Sequence, residues 1–88
     1  MKLLIDKSFV KDIQKIDNKK LRRIVANQIE SLKEYNSLTE IEGLKKLKGS
    51  KKEYRIRLGD YRIGLRIDGD IIILIRFLHR KELYRFFP

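Results

Sequence analysis

With 88 residues, 22 Lys and Arg against 12 Asp and Glu, and a net charge of +10, the chain is near the lower size limit for one domain on a single core. It has no cysteine and one histidine, which excludes disulfide staples and a zinc site built on Cys or His ligands. No run approaches the ~20 apolar residues of a membrane span. The uncharged runs in MKLLIDKSFVKDI are at most three residues, too short for the core of a signal peptide. One soluble, cytoplasmic domain over residues 1–88, with no metal and no cofactor, is the expectation.

Excess positive charge repels itself in a compact state, so it points to a polyanionic partner, nucleic acid first. Residues 1–52 hold twelve lysines and two arginines, whereas residues 53–88 hold seven arginines and one lysine. Solubility does not distinguish the two residue types. Arginine's planar fork suits bidentate phosphate contacts. The change at residue 53 therefore reads as solvated lysines first and a directed anion site second.

In chain order, KLLI (2–5) fits a first strand. Phe9, Val10, Ile13 and Ile16 recur at helical spacing, with Asp6 or Ser8 placed to cap the helix. Asp17 or Asn18 can cap a second helix, whose apolar stripe runs Leu21, Ile24, Val25, Ile29, Leu32, Tyr35. Two amphipathic helices with a short join form a hairpin. Residues 37–52 read as one long basic connection, interrupted by Gly43 and Gly49 and pinned by Leu44 and Leu47.

Beyond residue 53 the apolar period falls from about 3.6 to 2. YRIRLGDYRIGLRI (54–67) reads as two strands around Gly59-Asp60, a tight-hairpin turn. IIILIRFL (71–78) is apolar on both faces apart from Arg76, as expected for a central strand. HRKELYRFFP allows one or two helical turns, with Phe86 and Phe87 available to pack back. The expected fold is α+β, β-α-α-β-β-β with a short C-terminal helix, in which a helix hairpin covers one face of a curved antiparallel sheet.

A two-residue Gly59-Asp60 turn sets Leu58 opposite Tyr61, Arg57 opposite Arg62 and Glu53 opposite Arg66. The last is an ordinary ion pair. Like charges directly opposed destabilise a sheet by up to ~1 kcal/mol, so Arg57 and Arg62 suggest an anion between them. For the second hairpin, a three-residue connection with Gly69 at positive φ keeps parity. Ile71, Ile73, Ile75 and Phe77 then share the buried face with Tyr61, Ile63, Leu65 and Ile67. That register places Arg76 on the open face with Arg55, Arg57 and Arg62. His79, a residue type that exchanges protons near neutrality, and Arg80 with Tyr84, four apart on one helical face, complete the candidate chemistry.

LKGSKKEYRIRLGDYRIGLRID, followed by LHRKELY, resembles the RelE branch of the RelE/ParE toxin superfamily across essentially the whole chain. The resemblance implies a toxin of a type II toxin–antitoxin system, acting as a ribosome-dependent mRNA endonuclease (an mRNA interferase) and restrained by a cognate RelB-like antitoxin. It implies metal-independent attack of a ribose 2′-hydroxyl on the adjacent phosphate within the ribosomal A site. By position, Arg55 and Arg57 match the family's paired basic residues, and Arg62 the arginine that steadies the phosphorane. Arg80 matches a basic residue near the leaving oxygen, and Tyr84 the C-terminal tyrosine of proton transfer. Characterised members often carry lysine at the paired positions. Arginine stays protonated, so base duty here falls to Tyr84 or His79. Lys45, Lys46, Lys48, Lys51, Lys52 and Arg76 are expected to contact RNA phosphates. Two other readings stay open: a ParE-like inhibitor of DNA gyrase, whose branch generally lacks the basic cluster, and a non-catalytic small RNA-binding protein.

Overall fold

In the computed structural model, which describes residues 1–88, the change of hydrophobic period near residue 53 marks the passage from helices to sheet. Strand β1 (Lys2–Ile5) leads into helix α1 (Lys7–Gln14). Asp6 is the cap, its carboxylate accepting from the Ser8 N–H at 3.1 Å. Helix α2 (Lys19–Glu34) starts at Asn18, whose Oδ1 accepts from the Leu21 N–H at 3.0 Å. Of the stripe on α2, Val25 and Leu32 are buried, whereas Ile24 at its margin stays exposed.

The meander is as the alternation predicts: β3 (Glu53–Leu58), β4 (Tyr61–Asp68) and β5 (Ile71–His79), all antiparallel. Gly59 supplies the positive φ (59°) that the first turn requires. Arg57 pairs with Arg62, and Glu53 with Arg66, as the register argument expected. The sheet has five strands in the order β1-β5-β4-β3-β2, not four. β1 joins β5 in parallel, and the helix hairpin carries the chain from β1 at one edge of the sheet to β2 at the other.

The extra strand, β2 (Leu44–Lys46), corrects the reading of residues 37–52 as one unstructured connection. It pairs antiparallel with β3 at the sheet edge, Leu44 opposite Ile56. A 3-10 turn at Leu38–Glu40 precedes it, closed by the Glu40 carboxylate accepting from the Asn36 and Ser37 N–H groups at 2.7 and 2.8 Å. Short edge strands bearing lysine discourage edge-to-edge pairing.

The second hairpin is also corrected. Its loop is two residues, Gly69-Asp70, and Asp68 pairs with Ile71. Odd positions of β4 therefore meet even positions of β5: Ile67 with Ile72, Leu65 with Leu74. A bulge at Gly64/Leu65 then shifts the register, so that Ile63 meets Phe77. Ile72, Leu74 and Phe77 enter the main core with Ile56, Ile63, Leu65, Phe9, Val25 and Leu32. Ile75 is turned to the other face, where it packs with Leu78 against a separate cluster of Leu47, Leu83 and Phe87. Helix α3 (Leu83–Phe86) lies on that face, so the sheet is partly covered on both sides.

Beyond Leu74, α1 takes over from β1 along the edge of β5. Ser8 Oγ donates to the Ile75 carbonyl at 2.6 Å, and the Asp12 carboxylate accepts from the Phe77 N–H at 2.9 Å. Backbone groups that no strand reaches are thus satisfied by helix side chains.

Candidate functional site

The alternation of β3 and β4 buries Ile56, Ile63 and Leu65 and turns Arg55, Arg57 and Arg62 to the face away from the helix hairpin. Arg62 Nη1 donates to the Gly59 and Tyr61 carbonyls at 2.7 and 2.8 Å, so the guanidinium is fixed over the turn. Arg55 Nη1 is anchored on the Gly43 carbonyl of the segment entering β2. The Arg80 N–H donates to the Asp60 carbonyl at 2.8 Å, bringing the end of β5 up to the same turn.

Arg62 is the electrostatic centre of the group. Partial burial holds it below the ordinary arginine value, and the positive charges of Arg55, Arg57 and Arg80 push in the same direction. Tyr84 acts in the opposite sense. The charges of Arg55, Arg57 and Arg80 and the Tyr84 phenol therefore act on Arg62 from within electrostatic reach. Like charge gathered around Arg62 is what an anion, and above all a phosphate gaining charge during reaction, would relieve.

Beside the cluster lies a cleft of about 730 Å³, lined by Lys45, Lys46, Lys48, Arg55, Tyr84 and Phe87 among others. Tyr84 is 71% exposed there. Lys51 does not line this cleft, and Lys52 is paired with Asp68 at 3.2 Å. A second groove of about 860 Å³ lies between α2 and the β2 edge; its lining includes apolar Ile24, Leu44 and Leu58, basic Lys20, Lys45, Arg55 and Arg57, and acidic Glu42 and Asp60.

Two expected members lie elsewhere. Arg76 is bound to Asp12 of α1, Nε to Oδ2 at 2.7 Å and Nη2 to Oδ1 at 3.1 Å, which holds it above the usual arginine value. The placement of Arg76 among the open-face arginines is thereby corrected. The pairing of Gly64 with both Arg55 and Arg76 keeps Arg76 on the expected face, but α1 supplies a carboxylate at the sheet edge, which the strand pattern does not reveal, and draws its guanidinium away from the other three. His79 braces the structure: its Nδ1 accepts from the Lys81 N–H at 3.2 Å, and its ring meets Tyr61 edge-on at 5.4 Å. It lines a hollow with Asp12 and Glu82, apart from the Arg62 group.

The sequence reading passed over Asp12 and Gly64. Asp12 sits three residues after Phe9 within an apolar stripe, and a carboxylate there signals a buried partner. Gly64 interrupts a strand, which signals a close approach. No three His, Cys, Asp or Glu side chains converge in the fold, and no helix is long and apolar enough to cross a membrane.

Residues 3–84 match the family model described as ParE toxin of type II toxin–antitoxin system, parDE. Toxin RelE3 of Methanocaldococcus jannaschii is 44% identical over 89 residues, covering 100% of both chains. Among solved structures, the RelB–RelE antitoxin–toxin complex from Methanococcus jannaschii matches with TM-score 0.80 and 42% identity, over 97% of this chain and 99% of that one. The archaeal RelE–RelB complex from Pyrococcus horikoshii OT3 matches with TM-score 0.72 and 26% identity, over 93% and 97%. The YoeB dimer from Staphylococcus aureus shares the fold, with TM-score 0.70 at 17% identity over 91% and 97%. Fold, basic face and these relatives agree: the chain belongs to the RelE branch of the RelE/ParE superfamily of type II toxin–antitoxin toxins.

Proposed function

We propose that the protein is a ribosome-dependent mRNA endonuclease of the cytoplasm, which cleaves a message in the decoding site and so stops translation. What supports this reading is the geometry around one turn: Arg62 held over Gly59 and opposite Arg57, Arg80 tied by its N–H to the Asp60 carbonyl, and Arg55 and Tyr84 lining one cleft. The ribose 2′-oxygen attacks the adjacent phosphorus, forming the 2′O–P bond, and the 5′O–P bond breaks. A 2′,3′-cyclic phosphate and a 5′-hydroxyl result. The 2′-hydroxyl proton goes to the Tyr84 oxygen, which accepts it in its phenolate form, and the departing 5′-oxygen takes a proton from solvent water beside Arg80. Arg62 and Arg57, opposed across the hairpin, stabilise the phosphorane charge, and a single preorganised donor of this kind contributes ~3 kcal/mol. Lys45, Lys46 and Lys48 hold the RNA backbone along the cleft without reading sequence.

A RelB-like antitoxin is the proposed restraint. The relatives from Methanococcus jannaschii and Pyrococcus horikoshii OT3 are complexes with RelB. The groove beside α2, whose lining combines apolar residues with four basic and two acidic ones, suits an amphipathic segment of net acidic charge.

A reverse-transcription stop assay on a defined mRNA tests the nuclease. The arms are mRNA alone, programmed ribosomes with an empty decoding site, and the same ribosomes with Arg62→Ala. A new stop within the decoding-site codon, requiring both ribosome and Arg62, is expected. Its absence with folded protein overturns the reading, and gyrase-dependent DNA cleavage then becomes the assay, since the matching family model carries the ParE description.

A further inference from the structure

The chain around Tyr84 has little to hold it in place by itself. Helix α3 is four residues long, far below what stands alone in water. Its one buried helical residue is Leu83, and Tyr84 and Phe86 are exposed. What anchors the segment is Phe87, 3% exposed, whose ring lies on the sheet directly over Gly64. A Cβ at position 64 would stand 2.7 Å from Phe87 Cδ2 and 2.8 Å from Cγ, closer than such atoms approach. Glycine weakens a strand interior, so its presence in β4 is explained by the ring that occupies the space. The Phe87 N–H closes the turn on the Leu83 carbonyl at 2.8 Å, and Leu47 completes the packing from the lysine-bearing segment.

Register gives this seat its meaning. Gly64 pairs with Arg55 on one side and with Arg76 on the other, so the notch lies between the arginine of the cluster and the arginine bound to Asp12. Phe87 in that notch brings Tyr84 to the cleft beside Arg55 and within reach of Arg62. Phe86, next in the chain, lies 5.9 Å from the Arg76 guanidinium, a second tie on the far side.

We propose that Phe87, seated in the notch of Gly64, is a positioning residue that fixes Tyr84 against the arginine face for the cleavage step. The proposal rests on the endonuclease reading for its kinetic consequence, whereas the placement of Tyr84 is measured without it. The variants are Phe87→Ala, Gly64→Ala, and Gly64→Ala with Phe87→Leu, where the smaller side chain makes room for the added methyl.

Nuclear Overhauser effects between the Tyr84 ring and the Arg55 and Arg62 side chains report placement in the free protein. Single-turnover cleavage on programmed ribosomes reports chemistry. Phe87→Ala and Gly64→Ala are expected to abolish these Overhauser effects, speed amide exchange over residues 80–86, and lower kcat about 10²-fold with KM nearly unchanged. The double variant is expected to recover both the Overhauser effects and the rate in part. Disappearance of the Overhauser effects with the rate intact overturns the positioning role, as does persistence of both in the two single variants. Wild-type protein that shows the Overhauser effects, no longer shows them in Phe87→Ala and never cleaves refutes the endonuclease reading, and with it the kinetic role, while leaving the seat itself established.

Discussion

Asp12→Ala is expected to destabilise the protein by about 3 kcal/mol. Asp12 is 7% exposed and accepts three hydrogen bonds, from Arg76 Nε, Arg76 Nη2 and the Phe77 N–H. Removing one partner of a buried pair leaves the other charge uncompensated, at about 3–5 kcal/mol. The Arg76 side chain is 25% exposed and regains some water, which selects the lower end. The Phe77 N–H, buried in β5, also loses its acceptor. Asp12→Asn keeps an oxygen for that N–H while discarding the charge, and about 1–2 kcal/mol is expected. Urea unfolding followed by circular dichroism measures both, and thermal unfolding should fall by about 12–24 °C for the alanine variant. Arg76→Met closes a double-mutant cycle, with a coupling above ~1 kcal/mol expected. A loss below ~1 kcal/mol for Asp12→Ala, with an additive cycle, would refute the reasoning. It would mean that the pair is as hydrated as a surface ion pair and that other contacts hold α1 to β5.

Arg62→Ala should lower the cleavage rate on programmed ribosomes about 10²- to 10³-fold while leaving the circular dichroism spectrum and antitoxin binding in place. Comparable loss of antitoxin affinity would show that Arg62 serves binding rather than chemistry. Lys46→Gln with Lys48→Gln should weaken binding to single-stranded RNA and reduce the slope of log K against log salt by ~1.4, about 0.7 for each phosphate no longer neutralised, and an unchanged slope removes these lysines from the RNA path. Leu32→Ala, at a fully buried site of α2, should destabilise by about 2–5 kcal/mol in urea unfolding, and a change under ~1 kcal/mol would place α2 outside the cooperative core. Asp6 is held below the usual carboxylate value of 3.8, first by the Ser8 hydroxyl and then by the Ser8 N–H. A depressed carboxylate stabilises the fold above its unfolded value and ceases to as pH falls through its folded one. The advantage of wild type over Asp6→Ala in thermal unfolding should therefore be constant near neutrality, begin to shrink as pH falls through 3.8 and be lost only below the lowered folded value, and an advantage that does not shrink on acidification contradicts the cap.

The parts of the fold legible in the sequence were those fixed by local geometry. Gly59-Asp60 allows one tight turn, and that turn alone sets Arg57 against Arg62 and Glu53 against Arg66. β5 offered no such constraint. With apolar residues at every position from Ile71 to Ile75, either register buries isoleucine, and a period of 2 carries no information about which face is inward. The two-residue turn and the bulge at Gly64/Leu65 set the register, and Gly64 at that bulge packs against Phe87, distant in sequence. β2 escaped notice because three residues with two lysines have no visible alternation. Arg55, Arg57 and Arg62 were readable as a face for the same reason that their hairpin was. Arg76 was not, because Asp12 lies 64 positions away.

The position of β5 between β4 and β1 bears on how the chain survives its own synthesis. Ile71–Ile75 is the run most prone to stack with copies of itself, being apolar, uncharged and rich in β-branched residues. Both strands that flank it, β1 and β4, precede it in the chain, as does α1, which takes the rest of its edge. When this run emerges, its acceptors on either side already exist. Had β5 come first in the chain, it would have waited with two open edges for partners not yet made. The order of the elements thus limits the time during which the stickiest strand can find a neighbour other than its own.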